Sequence, residues 1–181
     1  MNTALYIIAS LVALAAIYLV LSPLVRVYLR YRGKRLVACP ETGAAAGVEV
    51  AAAAAAVSAF GEPRLRLKDC TRWPEREACG QECLSQIETA PADCLVKNIL
   101  TRWYEGKSCV LCGRPLGDID WVEHRPAFLS PENITVEWKD LSPEKVPQTL
   151  ESHRPVCWNC HIAATFRREH PDLIVERPRK A

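Results

Sequence analysis

The sequence has no charged residue of either sign between Thr3 and Val25, and no acidic residue before Glu41. It also lacks the large positive charge typical of nucleic-acid-binding proteins, because the formal net charge of its 181 residues is +2. Nine cysteines are an odd number, which argues against a fully paired disulfide scaffold. With 49% hydrophobic and 24% charged residues, the composition is that of a folded chain and not of a disordered one.

The uncharged run from Thr3 to Val25 predicts a single transmembrane helix. About 20 apolar residues in a helix cross a hydrocarbon core of roughly 30 Å. No basic residue precedes the run, whereas five follow it: Arg26, Arg30, Arg32, Lys34 and Arg35. This asymmetry predicts a bacterial inner-membrane protein with its N-terminus outside and its C-terminal domain in the cytoplasm, where the basic residues contact membrane lipid. A cleaved signal peptide is the alternative, but its basic residues would lie before the apolar run.

The rest of the chain carries 18 basic and 21 acidic residues, a balance of −3. A net acidic surface disfavours contact with phosphates, so nucleic acid is not the expected partner. We predict an α+β fold with three parts: an anchor with a basic flank over residues 1–35, a cysteine-rich subdomain over 36–106, and a zinc-finger subdomain over 107–181.

The cysteine-rich subdomain has the pattern of a strand, a helix and a second strand. Val48 and Val50 predict a short strand, and the alanines of Ala51–Ala56 predict a short buried helix. Leu65 and Leu67 alternate with charged residues, which predicts a half-buried strand running into Cys70.

Further along the chain, apolar spacing predicts a helix that starts at Pro91–Asp93 and ends at Gly106. A hairpin is expected, with one strand over Ile119–Val122 and the other over Ile134–Trp138. A loop over 142–147 and a helix over 157–170 complete the prediction. No internal repeat is found.

The clearest chemical pattern is a pair of C-x2-C motifs. Cys109 and Cys112 form the first, followed by Gly113, and Cys157 and Cys160 form the second. Zinc prefers four tetrahedral ligands, commonly thiolates, and a cytoplasmic location keeps thiols reduced. These four cysteines therefore predict a structural zinc site.

A competing interpretation takes Cys157, Cys160 and His161 as the C-x2-C-H pattern of covalent haem attachment. It leaves the first cysteine pair unexplained and requires the opposite membrane orientation. Because the only methionine is Met1, a methionine axial ligand is not available either.

The order of first cysteine pair, hairpin and helix with the second pair resembles the treble-clef zinc fold, and within it the zinc-containing HNH nucleases, over residues 109–168. The matching residues are Cys109–Gly113, Glu123–Pro126 and Cys160–His161. The resemblance implies a general base at His124, a metal ligand at His161, and Glu123 as a further ligand in a metal-dependent nuclease.

The remaining cysteines are candidates for a second metal site. In the order in which we expect them to contribute, they are Cys70, Cys79, Cys83, Cys94 and Cys39. If residues 79–83 are helical, Cys79 and Cys83 share one face. Either a second zinc or an iron–sulfur cluster would fit this set, with one cysteine to spare.

Taken together, these patterns favour a membrane-anchored zinc protein without enzymatic activity, acting as an interaction or assembly module for a protein partner. A metal-dependent nuclease and a haem or iron–sulfur electron-transfer protein are the two alternatives.

Overall fold

The structure is a computed structural model that describes residues 2–61, 64–75 and 79–173. The chain folds into two compact units, Met1–Val96 and Lys97–Ala181, and combines helices with two antiparallel sheets. The first unit contains α1 (Asn2–Tyr31), β1 (Lys34–Ala38), β2 (Ala45–Val50), α2 (Ala52–Val57), β3 (Leu67–Cys70) and α3 (Leu84–Thr89). Helix α4 (Val96–Tyr104) begins at the last residue of this unit. The second unit continues with β4 (Ala127–Leu129), β5 (Thr135–Glu137), α5 (Val146–Ser152), β6 (Arg154–Val156) and α6 (Trp158–Glu169).

Helix α1 is long and apolar enough to cross a membrane from Thr3 to Tyr31. Its apolar side chains are exposed over most of this length. The last two turns differ, because Val27 and Tyr31 pack into the hydrophobic core of the first unit. The apolar helix therefore runs into the folded unit without a linker.

The first unit is built on a sheet with the strand order β1-β2-β3. Strand β2 is central and nearly fully buried, since Val48 and Val50 face the core. Helix α2 follows β2 directly and packs against α1. The predicted strand–helix–strand order is confirmed, and β3 ends at Cys70 as expected.

One of the five basic residues after the apolar run is not at the surface. Arg35 lies on β1 opposite Val48 and is fully buried. Its guanidinium donates hydrogen bonds to the backbone oxygens of Pro91 and Arg30. Arg26, Arg30, Arg32 and Lys34 are exposed, so four of the five basic residues lie at the surface.

The second unit is built on a sheet with the strand order β5-β4-β6. All three residues of the central strand β4 are buried. The ring of Phe128 packs against Trp103 and Tyr104 of α4, with both ring centroids 5.6 Å away. The Tyr104 hydroxyl donates a hydrogen bond to the Ala127 oxygen, and burial raises the pKa of this phenol.

The predicted hairpin is wrong in its first strand. β5 lies where the second strand was expected, but its partner is β4 and not Ile119–Val122. The Asp120 carboxylate accepts hydrogen bonds from the N–H groups of Val122 and Glu123, at 2.8 and 3.1 Å, which closes a tight turn there. Apolar residues in this segment therefore belong to a turn, whose Trp121 packs edge-on against Trp138.

One other local prediction is wrong, and the condition attached to another is not met. The segment expected as a loop over 142–147 forms a short 3-10 helix, Pro143–Lys145, that leads into α5. Cys79 and Cys83 do not share a helix, because α3 begins only at Leu84. Gln81 between them has a φ of 59°, a left-handed conformation that no helix can continue through.

Candidate metal centre

Cys109 and Cys112 lie in a tight turn that joins two short extended segments. The Cys109 N–H donates to the Arg114 oxygen and the Gly113 N–H donates to the Cys109 oxygen, both at 2.8 Å. Gly113 has a φ of 72°, which glycine adopts without steric cost. This turn, residues 109–114, is called the C-terminal knuckle below.

Cys157 and Cys160 lie where β6 passes into α6. Cys157 has an extended backbone and precedes the first helical residue, and its oxygen accepts the N–H of His161 at 3.0 Å. The Val110 N–H donates to the Pro155 oxygen at 3.1 Å, which fixes the knuckle beside β6. Strand pairing and this bond bring the two cysteine pairs together.

The four sulfurs of Cys109, Cys112, Cys157 and Cys160 all lie within 4.8 Å of one another. The Cys112 and Cys157 sulfurs are 3.8 Å apart. A tetrahedron of sulfurs about 2.3 Å from a central zinc has edges of about 3.8 Å. The cluster therefore matches the size of a four-cysteine metal site.

The protein around the cluster favours thiolates unequally. Burial acts to raise the pKa of Cys109, but the N–H groups of Cys157, Cys112 and Leu111 bond to its sulfur and lower the pKa to about 6. Burial raises the pKa of both Cys157 and Cys160, and the neighbouring thiols add to this effect for Cys160. A bound cation would offset the effect of burial, which disfavours thiolates, by stabilising all four negative sulfurs.

The two histidines of the HNH resemblance have different environments. His124 is exposed and lines a cavity of about 230 Å³ together with Asp120, Arg114 and Arg125. His161 is 8% exposed, is not among the residues lining this cavity, and packs against the Trp158 ring at 5.3 Å. Burial lowers the pKa of His161.

Sequence reasoning did not single out Asp120, which forms a second close group with Glu123 and His124. Their candidate ligand atoms all lie within 4.8 Å of one another, and all three residues are exposed. Asp120 already accepts the two hydrogen bonds of the turn described above. Turn formation therefore accounts for the position of this carboxylate.

Of the other five cysteines, four surround one small pocket in the first unit. Cys39, Cys70, Cys79 and Cys83 line a cavity of about 20 Å³. Burial raises the pKa of Cys83 to about 11, and the nearby Cys70, Cys79 and Cys39 contribute in the same direction. Cys94 is not among the lining residues, although the sequence placed it ahead of Cys39 as a ligand.

Comparison of the chain with protein-family profiles, curated proteins and solved structures finds no match.

Proposed function

We propose that this chain is a membrane-anchored zinc protein that serves as an interaction or assembly module at the cytoplasmic face of the inner membrane. The observation that carries the proposal is the convergence of four cysteine sulfurs within 4.8 Å. Four thiolates fill all tetrahedral positions of a zinc ion and leave none for substrate or water, which is the arrangement of structural sites.

The order of elements supports a treble-clef-like zinc finger in the second unit. The C-terminal knuckle comes first, the β4–β5 hairpin follows, and α6 carries the second cysteine pair. Because so small a unit has a limited core, zinc binding would contribute directly to its folding.

The membrane part of the proposal depends on α1. Its uncharged stretch is followed by four exposed basic residues, Arg26, Arg30, Arg32 and Lys34, an asymmetry that favours a cytoplasmic C-terminal side. A cytoplasmic location also keeps the cysteines reduced and available to metal.

The interaction role is supported by apolar side chains that the cluster holds at the surface. Ile162 and Phe166 are each 47% exposed and lie four residues apart on α6, so they share a face. Val110 and Leu111, between the first two cysteines, are 40% and 49% exposed. Metal binding would fix both elements at once, so these side chains would contact an apolar surface of a protein partner only in the zinc-bound state.

Photo-crosslinking in living cells tests this proposal. A photoreactive residue at position 162 should give a discrete protein adduct, and one at Arg168, on another face of α6, should not. Cys160→Ser should abolish the adduct, because it removes a zinc ligand that holds the face in place. No adduct at position 162, or an adduct that persists in Cys160→Ser, would count against the proposal.

The metal content and absorption spectrum of the purified protein test the redox alternatives. Full-length protein in mild detergent should be colourless and contain zinc, because thiolate-bound zinc has no visible absorption. A haem Soret band, or iron with sulfide, would replace the proposed function with electron transfer.

A metal-dependent nuclease is the second candidate, and the Asp120, Glu123 and His124 group at the edge of the 230 Å³ cavity favours it. Plasmid cleavage with added magnesium that disappears in His124→Ala, with unchanged zinc content, would support this function. Absence of cleavage in the wild-type protein would exclude it.

A further inference from the structure

The backbone of the C-terminal knuckle occurs a second time in the chain, around Cys39. The Gly43 N–H donates to the Cys39 oxygen at 2.8 Å, and the Cys39 N–H donates to the Ala44 oxygen at 2.8 Å. The same two bonds, at the same residue spacing and length, join Cys109 to Gly113 and Arg114. This turn, residues 39–44, is called the N-terminal knuckle below.

The two knuckles also agree in their glycine conformation. Gly43 has a φ of 68°, and Gly113 has a φ of 72°. A Cβ built on either glycine would meet no atom within 4 Å, so the backbone angle, and not crowding, accounts for glycine at both positions.

Both knuckles direct backbone N–H groups at the sulfur of their first cysteine. Glu41 and Thr42 donate to the Cys39 sulfur, and Leu111 and Cys112, at the same spacing, donate to the Cys109 sulfur. Such bonds stabilise a thiolate. The difference lies in the fourth residue of the turn, which is Thr42 in one knuckle and Cys112 in the other. The N-terminal knuckle therefore presents one sulfur where the other presents two.

The rest of the first unit places three more sulfurs around this knuckle. Cys70 ends β3, and Cys83 precedes the first residue of α3. Both are buried, at 7% and 6% exposure, and with Cys39 and Cys79 they line the 20 Å³ cavity. Trp73 and Ala46 also line it.

We propose that the first unit binds a second zinc ion through Cys39, Cys70, Cys79 and Cys83, and that Cys94 is not a ligand. Coordination draws four sulfurs to about 2.3 Å from the ion and displaces their thiol protons into solvent. The sulfurs are more widely spaced than those of the C-terminal cluster, since in the described part of the chain they are not among the groups with ligand atoms within 4.8 Å. Metal binding would therefore contract this site.

The size of the cavity favours one of the two metal centres that the cysteines alone would allow. A cavity of about 20 Å³ has room for one water-sized particle and so for a single ion. An iron–sulfur cluster contains several iron and sulfide atoms and needs more space. The geometry thus favours zinc.

Cys94 makes hydrogen bonds to other parts of the same unit. Its sulfur donates to the Gln86 oxygen at 3.7 Å, and its backbone oxygen accepts the Leu36 N–H at 2.8 Å. This residue helps to join β1 to the segment before α4. It is a matched control, because it is a partly buried cysteine of the same unit that does not line the cavity.

Metal analysis of the full-length protein in detergent tests the proposal. Wild-type protein and Cys94→Ser should contain two zinc ions per chain, whereas Cys39→Ser and Cys70→Ser should contain one. A single zinc ion in wild-type protein, or two in Cys39→Ser, would overturn the second site.

A second variant leaves the cysteines of the first unit intact, so its result does not depend on whether the single mutants fold. It also measures this site without the C-terminal one. With Cys109, Cys112, Cys157 and Cys160 all replaced by Ser, the first unit should keep one metal ion. Cobalt substituted for zinc should then show the intense visible absorption of a tetrahedral four-thiolate site. Absence of metal from this variant would overturn the second site, and the C-terminal cluster would be unaffected by that result.

Discussion

The sulfur of Cys109 receives hydrogen bonds from the backbone N–H groups of Cys157, Cys112 and Leu111. Backbone N–H groups lower its pKa to about 6, whereas burial raises the pKa of Cys157 and Cys160. In the metal-free cluster Cys109 therefore gives up its proton more readily than Cys157 and Cys160 do. Zinc must displace at least those two protons in order to bind.

The residue-scale prediction follows from this proton release. Raising the pH makes deprotonation of Cys157 and Cys160 easier, so zinc affinity should rise with pH, by at least about 100-fold per pH unit near neutrality, the slope for two displaced protons. Competition with a chromophoric chelator at pH 6.5 and 7.5, using the Cys39→Ser variant to isolate the C-terminal site, measures this slope. An affinity that does not change with pH would contradict the assigned thiol states.

The functional residues that could be identified from the sequence were those that form a recognisable motif with a fixed spacing along the chain. Two C-x2-C motifs are enough to predict the four sulfurs that the structure brings together, because their spacing suits a tight turn and the start of a helix. The burial of Arg35 could not be predicted in this way. Its role depends on the oxygens of Pro91 and Arg30, and Pro91 is 56 residues away in the chain.

At the scale of elements, α2 has an unusual position. It packs against α1, and in α1 the partly buried residues include Ser22, Pro23 and Leu24, inside the uncharged run. Val57, the last residue of α2, and Phe60, three residues after it, are 78% and 68% exposed. In the proposed membrane arrangement, a short uncharged helix beside α1, followed by exposed apolar side chains, would lie at the lipid interface.

The element-scale prediction concerns Phe60. A diazirine-bearing amino acid at this position should crosslink to phospholipid in native membranes, because the proposed interfacial position would place its side chain near the acyl chains. The control is Lys68 on β3, which pairs with Glu49 at 3.0 Å on an exposed part of the sheet, and the same probe there should give no lipid adduct. Equal lipid crosslinking at both positions would refute the interfacial position of α2.

Elements with a clear local pattern were predictable, and elements defined by long-range pairing were not. The alanines of α2 lead to a helix close to its observed bounds, whereas α4 starts at Val96, later than the Pro91–Asp93 start that its apolar spacing predicts. Strand β4 is only three residues long and is recognisable only through its partners β5 and β6. The apolar residues near Asp120 imitate a strand, but the carboxylate of Asp120 satisfies the backbone N–H groups that a strand would have paired.

For the whole molecule, the four exposed basic residues after α1 are the proposed determinant of orientation. The buried guanidinium of Arg35 is bonded to backbone oxygens and should not take part. Charge near the end of the span, and not the net charge of the chain, would then set which side the two units occupy.

Reporter fusions at the C-terminus test this orientation. Green fluorescent protein fused there should fluoresce, and alkaline phosphatase fused there should be inactive, since both report a cytoplasmic location. Replacing Arg26, Arg30, Arg32 and Lys34 by Gln while adding lysines after Met1 should shift a measurable fraction of molecules to the opposite orientation, with active phosphatase. Active phosphatase in the unmodified chain would refute the proposed topology.

The continuity of α1 with the core of the first unit has a mechanical consequence. Val27 and Tyr31 belong to the helix and also pack into the core, so the end of α1 is held by the folded unit. In the proposed membrane arrangement, a change in the tilt of α1, such as a thicker or thinner bilayer would impose, would also turn the first unit. The lipid composition of the membrane would then influence the angle at which the N-terminal knuckle and its sulfurs are presented.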